Sequence, residues 1–112
     1  MELDITCALL EKIRVRPAMY LGEKDLTRLE FLLDGYCLRE MEREPGYVHN
    51  NGFWDGFCRY VEGYYHVTTT QGWRRIIQFY SVSRADAFDT FFRRYDEYLA
   101  AYREGKMPPP RV

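Results

Sequence analysis

The chain has 112 residues and a mass of 13.5 kDa, enough for one domain that hides about two thirds of its unfolded surface. Aromatic residues make up 17% of it and charged residues 29%, a composition that excludes a disordered chain and supplies a core needing no disulfide or metal staple. Sixteen Lys and Arg against seventeen Asp and Glu leave a formal charge of -1, which argues against a polyanion-binding protein.

No stretch reaches the ~18 apolar residues of a membrane span, and the N-terminal Met1 to Arg14 carries acidic residues where a signal peptide needs basic ones. The reading is a cytoplasmic protein without a membrane partner. Cys7, Cys37 and Cys58 are far apart, odd in number and without a C-x-x-C pair, as in a reduced chain. Each lies among apolar neighbours and reads as a small buried hydrophobe rather than a nucleophile or ligand.

In chain order, Ile5, Leu9, Leu10 and Ile13 form an apolar stripe on a first helix of about 11 residues that Asp4 can cap. Pro17 forces Arg16 out of the helical region, so Arg16 to Gly22 is expected to be an ordered connector, with Met19, Tyr20 and Leu21 plugging the core. Asp25 caps a second helix on which Leu26, Leu29, Leu33, Tyr36 and Cys37 share a face, and Pro45-Gly46 ends it after an acidic last turn. Tyr47 to Gly52 is a loop with an Asn50-Asn51-Gly52 turn. A third helix carries Phe53, Trp54, Phe57, Tyr60, Val61 and Tyr64 despite Gly56 and Gly63. The β-branched segment Tyr65 to Thr70 has no strand to pair with and reads as an extended loop.

Trp73, Ile76, Ile77 and Tyr80 mark a short fourth helix. Ser83 with Asp86 resembles a capping box opening the longest helix, whose stripe is Phe88, Phe91, Phe92, Tyr95, Tyr98, Leu99 and Tyr102, with Gly105 as its stop. The fold expected is all-α: a compact single-domain bundle of about five helices with an aromatic-rich core over residues 1–105, followed by a Pro-rich tail over 106–112.

Catalytic and metal chemistry find little purchase. His49, His66, Asp55 and Cys58 do not fall into zinc spacings, and Cys58 with His66 lacks an orienting group and an oxyanion site, so no catalytic residue, metal or cofactor is assigned. Arg74-Arg75 and Arg93-Arg94 lie among aromatics as in single-strand binders, yet Asp86, Asp89, Asp96 and Glu97 share the last helix and pairs such as Asp89 with Arg93 explain it as a solvated face. No nucleic acid partner is expected. Glu40, Glu42, Glu44, Asp55 and Glu62 gather around the middle of the chain with Tyr47, Trp54, Tyr64, Tyr65 and His66. These ten residues are the candidate partner-binding surface, since Tyr and Trp provide contact area and carboxylates suit a basic cleft. The alternative is that Trp54 and Tyr64 are core and the carboxylates only solvate the fold.

Two resemblances bear on function. Arg16-Pro17-Ala18-Met19-Tyr20-Leu21-Gly22 resembles the R-P-G-M-Y-I-G segment of the DNA gyrase B ATPase domain. The likeness stops where that family places its water-activating Glu and Mg²⁺-holding Asn: here Glu30 is followed by Asp34 and Gly35, with the spacing off by one and no Asn, so the match is incidental. More broadly, Arg16 to Gly22, Leu29 to Tyr36, Gly72 to Ile77 and Asp86 to Phe92 resemble small bacterial immunity-type proteins encoded beside polymorphic or contact-dependent growth-inhibition toxins. That resemblance implies a non-enzymatic protein whose partner is a cognate toxin domain, neutralised by occlusion of its active site. The alternatives are an ATPase-related nucleotide-binding fragment and a helical nucleic-acid adaptor. Oligomeric state stays open, because surplus aromatics serve a dimer face equally well.

Overall fold

Six helices follow from local signals in a computed structural model that describes residues 4–44, 52–69 and 71–105: α1 (Thr6–Val15), α2 (Pro17–Leu21), α3 (Leu26–Arg43), α4 (Phe53–Tyr65), α5 (Trp73–Phe79) and α6 (Arg84–Arg103). No strand occurs among the described residues, so the chain is all-α as the periodicity indicates. The Pro45-Gly46 stop, the Asn50-Asn51 turn and the Pro-rich tail lie outside the described residues.

Asp4 starts α1: its carboxylate accepts hydrogen bonds from the Thr6 backbone N–H at 2.9 Å and the Thr6 hydroxyl at 2.6 Å. Asp25 does the same for α3, accepting from the N–H groups of Thr27 and Arg28. At α6 the Ser83 hydroxyl accepts from Asp86 N–H at 3.0 Å, while the Asp86 carboxylate reaches back to Val82 N–H at 2.9 Å. The shorter Asp thus closes the capping box one residue earlier than a Glu would.

The connector after Pro17 differs from expectation. It is a one-turn helix, α2, with Pro17 at its first position and Gly22 at φ 85° behind it. Pro17 ends one helix and starts the next, because a proline at the first helical position loses no hydrogen bond. One turn offers the interior only one strong position, which Leu21 takes; Met19 is 65% exposed instead of plugging the core. An added Cβ on Gly22 would also stand 2.9 Å from the Arg28 guanidinium, which donates to the Leu21 carbonyl at 2.8 Å.

α4 continues through Gly56 and Gly63 and runs antiparallel to α6. Phe53 faces Tyr98 and Tyr102, with ring centroids 5.2 and 5.1 Å apart, and Tyr60 near the other end donates to Glu97 at 2.8 Å. Trp54, Phe57, Trp73 and Phe91 close the centre, Trp54 stacking on Trp73 at 5.5 Å. Edge-to-face and offset stacks of this kind add about 1 kcal/mol each beyond the buried area. The Tyr98 hydroxyl, deep in the core, donates to the Phe53 carbonyl at 2.9 Å.

The rim is tied by charge. Arg14 pairs with Asp96 at 2.6 Å while lying 4.6 Å over the Phe92 ring, and Arg84 pairs with Glu23 at 3.1 Å. Asp89 pairs with Lys24 at 3.0 Å rather than with Arg93, which bonds the Thr90 hydroxyl and approaches Asp86 at 4.0 Å. The nearer cation across the bundle wins over the one on the same helix.

Candidate functional site

The ten candidate residues divide into an acidic group and an aromatic group. Glu42 and Glu44 are exposed at the end of α3, and Glu40 is engaged by Arg43 one turn on. Asp55 is exposed and pairs with Arg59 at 3.2 Å. Tyr47 lies outside the described residues.

Two members are placed in the interior rather than on a contact surface. Trp54 is half-buried in the core stack, and its indole N–H donates to the Thr6 hydroxyl at 3.1 Å. Glu62 is 7% exposed: seven residues after Asp55 it shares that side of α4, but the fold covers its end of the helix. For Trp54 this is the core alternative that its place on the third helix's aromatic stripe left open, whereas the placement of Glu62 is not legible from sequence.

The aromatic group is extended by Tyr80, which the sequence places in the fourth helix, and by its neighbour Phe79. Tyr65 stacks on Tyr80 with centroids 4.7 Å apart and planes within 9°. Tyr64 meets Tyr65 edge-on at 4.9 Å, and Phe79 meets Tyr80 edge-on at 5.0 Å. The order Tyr64, Tyr65, Tyr80, Phe79 is a continuous ladder of four rings joining the ends of α4 and α5. It lies open: Tyr64 is 48%, Tyr80 49% and Phe79 79% exposed.

The backbone explains the ladder. α4 ends on His66 in the left-handed region at φ 57°, which turns the chain while Val67 N–H donates back to the Glu62 carbonyl at 3.0 Å. His tolerates that region better than β-branched residues do. The turn leaves Tyr64 and Tyr65 at a helix end with no following turn to cover them, and His66 itself exposed. Arg94 fixes the first rung: its guanidinium lies 3.8 Å from the Tyr64 ring centroid, with Nη1 3.1 Å from Glu97.

A groove of about 710 Å³ runs beside the ladder, lined by Val67, Thr69, Arg75, Ile76, Phe79 and Tyr80 among others. Arg75 is its one charged lining residue among those described. Of the two Arg pairs, Arg74 is held by Glu30, Thr27 and Gln78, Arg94 is buried, and Arg75 and Arg93 are exposed, Arg93 donating to the Thr90 hydroxyl.

The remaining chemistry-bearing groups are quiet. Glu30, which the gyrase likeness would make a base, is neutralised by the Arg74 guanidinium. Burial, with Asp4, Asp34 and Glu40 nearby, pushes the Cys37 thiol up to about 11, and burial also raises Cys7, so both are protonated at neutral pH. Cys58 sits mid-helix and half-buried, about two turns from His66. Among the described residues, no group of three or more His, Cys, Asp or Glu converges as metal ligands would, and no helix is long and apolar enough to cross a membrane.

No protein-family model, no curated protein and no solved structure matches this chain. Its function therefore rests on the geometry above.

Proposed function

We propose that the chain is a non-enzymatic binding protein of the immunity type, which neutralises a bacterial toxin by covering the toxin's active site. The observation that carries this reading is the ladder Tyr64, Tyr65, Tyr80 and Phe79, four rings in continuous contact of which three are exposed. Rings already stacked on one another lose little freedom on contact, and Tyr is enriched at the energetic centres of interfaces. Phe79 and Tyr80 wall a groove able to seat a protruding toxin segment. The exposed carboxylates of Glu42, Glu44 and Asp55 would steer encounter with a basic catalytic cleft more than set the final affinity.

Sequencing the neighbouring genes and co-expressing the chain with the toxin domain this reading expects there tests the proposal, and neighbours that encode no such domain would count against it. The parent protein should protect growth and co-purify with the toxin, and Tyr65→Ala with Tyr80→Ala should abolish both while leaving the thermal transition of the free protein within a few degrees. A well-folded parent chain that neither protects nor binds would end the immunity reading. Protection that survives the double substitution would move the contact away from the ladder.

A further inference from the structure

One wall of the groove beside the ladder has the character of a strand in a helical chain. Val67, Thr68 and Thr69 are β-branched, which favours extended backbone, and over them the chain forms neither helix, turn nor bend. Their burial alternates with the period of a strand, Val67 and Thr69 being half-buried and Thr68 exposed. The Val67 N–H donates to the Glu62 carbonyl at 3.0 Å, whereas among the described residues the backbone groups of Thr68 and Thr69 meet no partner within the chain. Successive residues of an extended backbone turn their N–H and C=O to opposite sides, so with the Val67 N–H turned in to α4, those of Thr68 are turned out. A free donor and acceptor on one residue is the unit by which a second strand attaches.

Water satisfies most exposed loop backbone; this stretch differs in what shares its groove. α5 supplies Ile76, almost buried, with Phe79 and Tyr80 open to solvent, and these can receive an apolar side chain of an added strand. α5 also supplies Arg75. It is exposed and, among the described residues, has neither an ion pair nor a hydrogen bond, whereas Arg74 beside it is held by Glu30. An apolar groove with one uncompensated guanidinium selects a carboxylate, because covering that charge with a neutral or basic segment leaves it unpaired. The exposed Asp55 does not serve Arg75: it pairs with Arg59 near the start of α4, about 15 Å along the helix from Tyr65.

We infer that the groove takes an extended, acidic segment of a protein partner, paired as an added strand with the backbone of residues 67–69 and carrying a carboxylate against Arg75. That the partner is a toxin rests on the immunity reading; the strand pairing and its charge do not. The charge sense here is opposite to that at Glu42, Glu44 and Asp55, so the segment is a different part of the partner from a basic cleft.

Selection from a random heptapeptide library displayed on phage, with the immobilised parent protein as bait, tests the inference. Selected peptides should carry Asp or Glu beside apolar residues, and synthetic copies should protect the Thr68 N–H from hydrogen exchange. Arg75→Glu should weaken their binding about tenfold, while Lys12→Glu, the same change of charge on α1, should not. Thr68→Pro removes the donor and should abolish binding with an unchanged circular dichroism spectrum. No enrichment, enriched peptides without acidic residues, equal losses in Arg75→Glu and Lys12→Glu, or exchange protection that omits Thr68 would each overturn the inference. A parent chain that selects acidic peptides yet neither binds nor protects against the toxin ends the immunity reading alone. A toxin complex indifferent to Arg75→Glu and Thr68→Pro ends the strand pairing alone.

Discussion

Arg94 lies with its guanidinium 3.8 Å from the centre of the Tyr64 ring and its side chain almost wholly covered. This buried arginine joins the longest helix to the first rung of the exposed ladder. A cation over a ring contributes between about 0.5 and 2 kcal/mol, the larger value where water is excluded. Urea denaturation of Arg94→Ala, Tyr64→Ala and the double variant is expected to yield a coupling of about 1 kcal/mol. Additive losses would mean that the two groups touch without interacting.

Tyr98 should distinguish its ring from its hydroxyl. Tyr98→Phe keeps the contacts with Phe53 and Phe57 but leaves the Phe53 carbonyl without this donor, an expected loss of about 1–2 kcal/mol. Tyr98→Ala also opens a cavity at the crossing of α4 and α6 and should cost about 3–5 kcal/mol. Thermal and chemical denaturation should rank the variants in that order.

The helix starts are local and should respond locally. Asp25→Ala and Ser83→Ala each remove an acceptor for first-turn N–H groups, and each is expected to cost about 1 kcal/mol. Asp25→Asn and Ser83→Thr should recover most of that loss.

Alkaline pH should unfold the protein through its tyrosines. Burial and the hydrogen bond to Glu97 push Tyr60 up to about 12, and burial raises Tyr95, Tyr98 and Tyr65 as well. The folded state therefore keeps protons that the unfolded chain begins to lose near pH ~10. The associated stability is complete below that pH and falls as pH rises toward and past the folded values. Denaturation midpoints should begin to fall above about pH 8, where the unfolded chain starts to lose the protons that the raised Cys7 and Cys37 thiols keep, and drop more steeply above about pH 10 as the tyrosines add to the loss, less steeply in Tyr60→Phe.

What the sequence made legible was what neighbours along the chain decide. The Asp25 and Ser83 caps, the periodic stripes of α3 and α6 and the existence of α4 all depend on residues within a turn or two; whether α4 runs unbroken through Gly56 and Gly63 does not follow from them. The connector was read as ordered but not as a helix, because Pro17 is a stop signal and a start signal in the same position. Met19 and Glu62 were misplaced because burial is settled by elements far away in sequence. Asp89 chose Lys24, 65 positions distant, over the arginine one turn on. The ladder escaped for the same reason: Tyr65 and Tyr80 meet only once α4 and α5 are both in place. The composition held one pointer to it, more rings than five amphipathic stripes can bury.

The position of α6 in the chain carries a consequence for how the protein is made. Ten of its residues are buried, and its neighbours include α3, α4 and α5. During synthesis those earlier helices emerge before α6 and keep their oily faces uncovered until it has left the ribosome. Until then the nascent chain is exposed to premature association, and a stop codon or a proteolytic cut before Tyr98 would strand the product in that state.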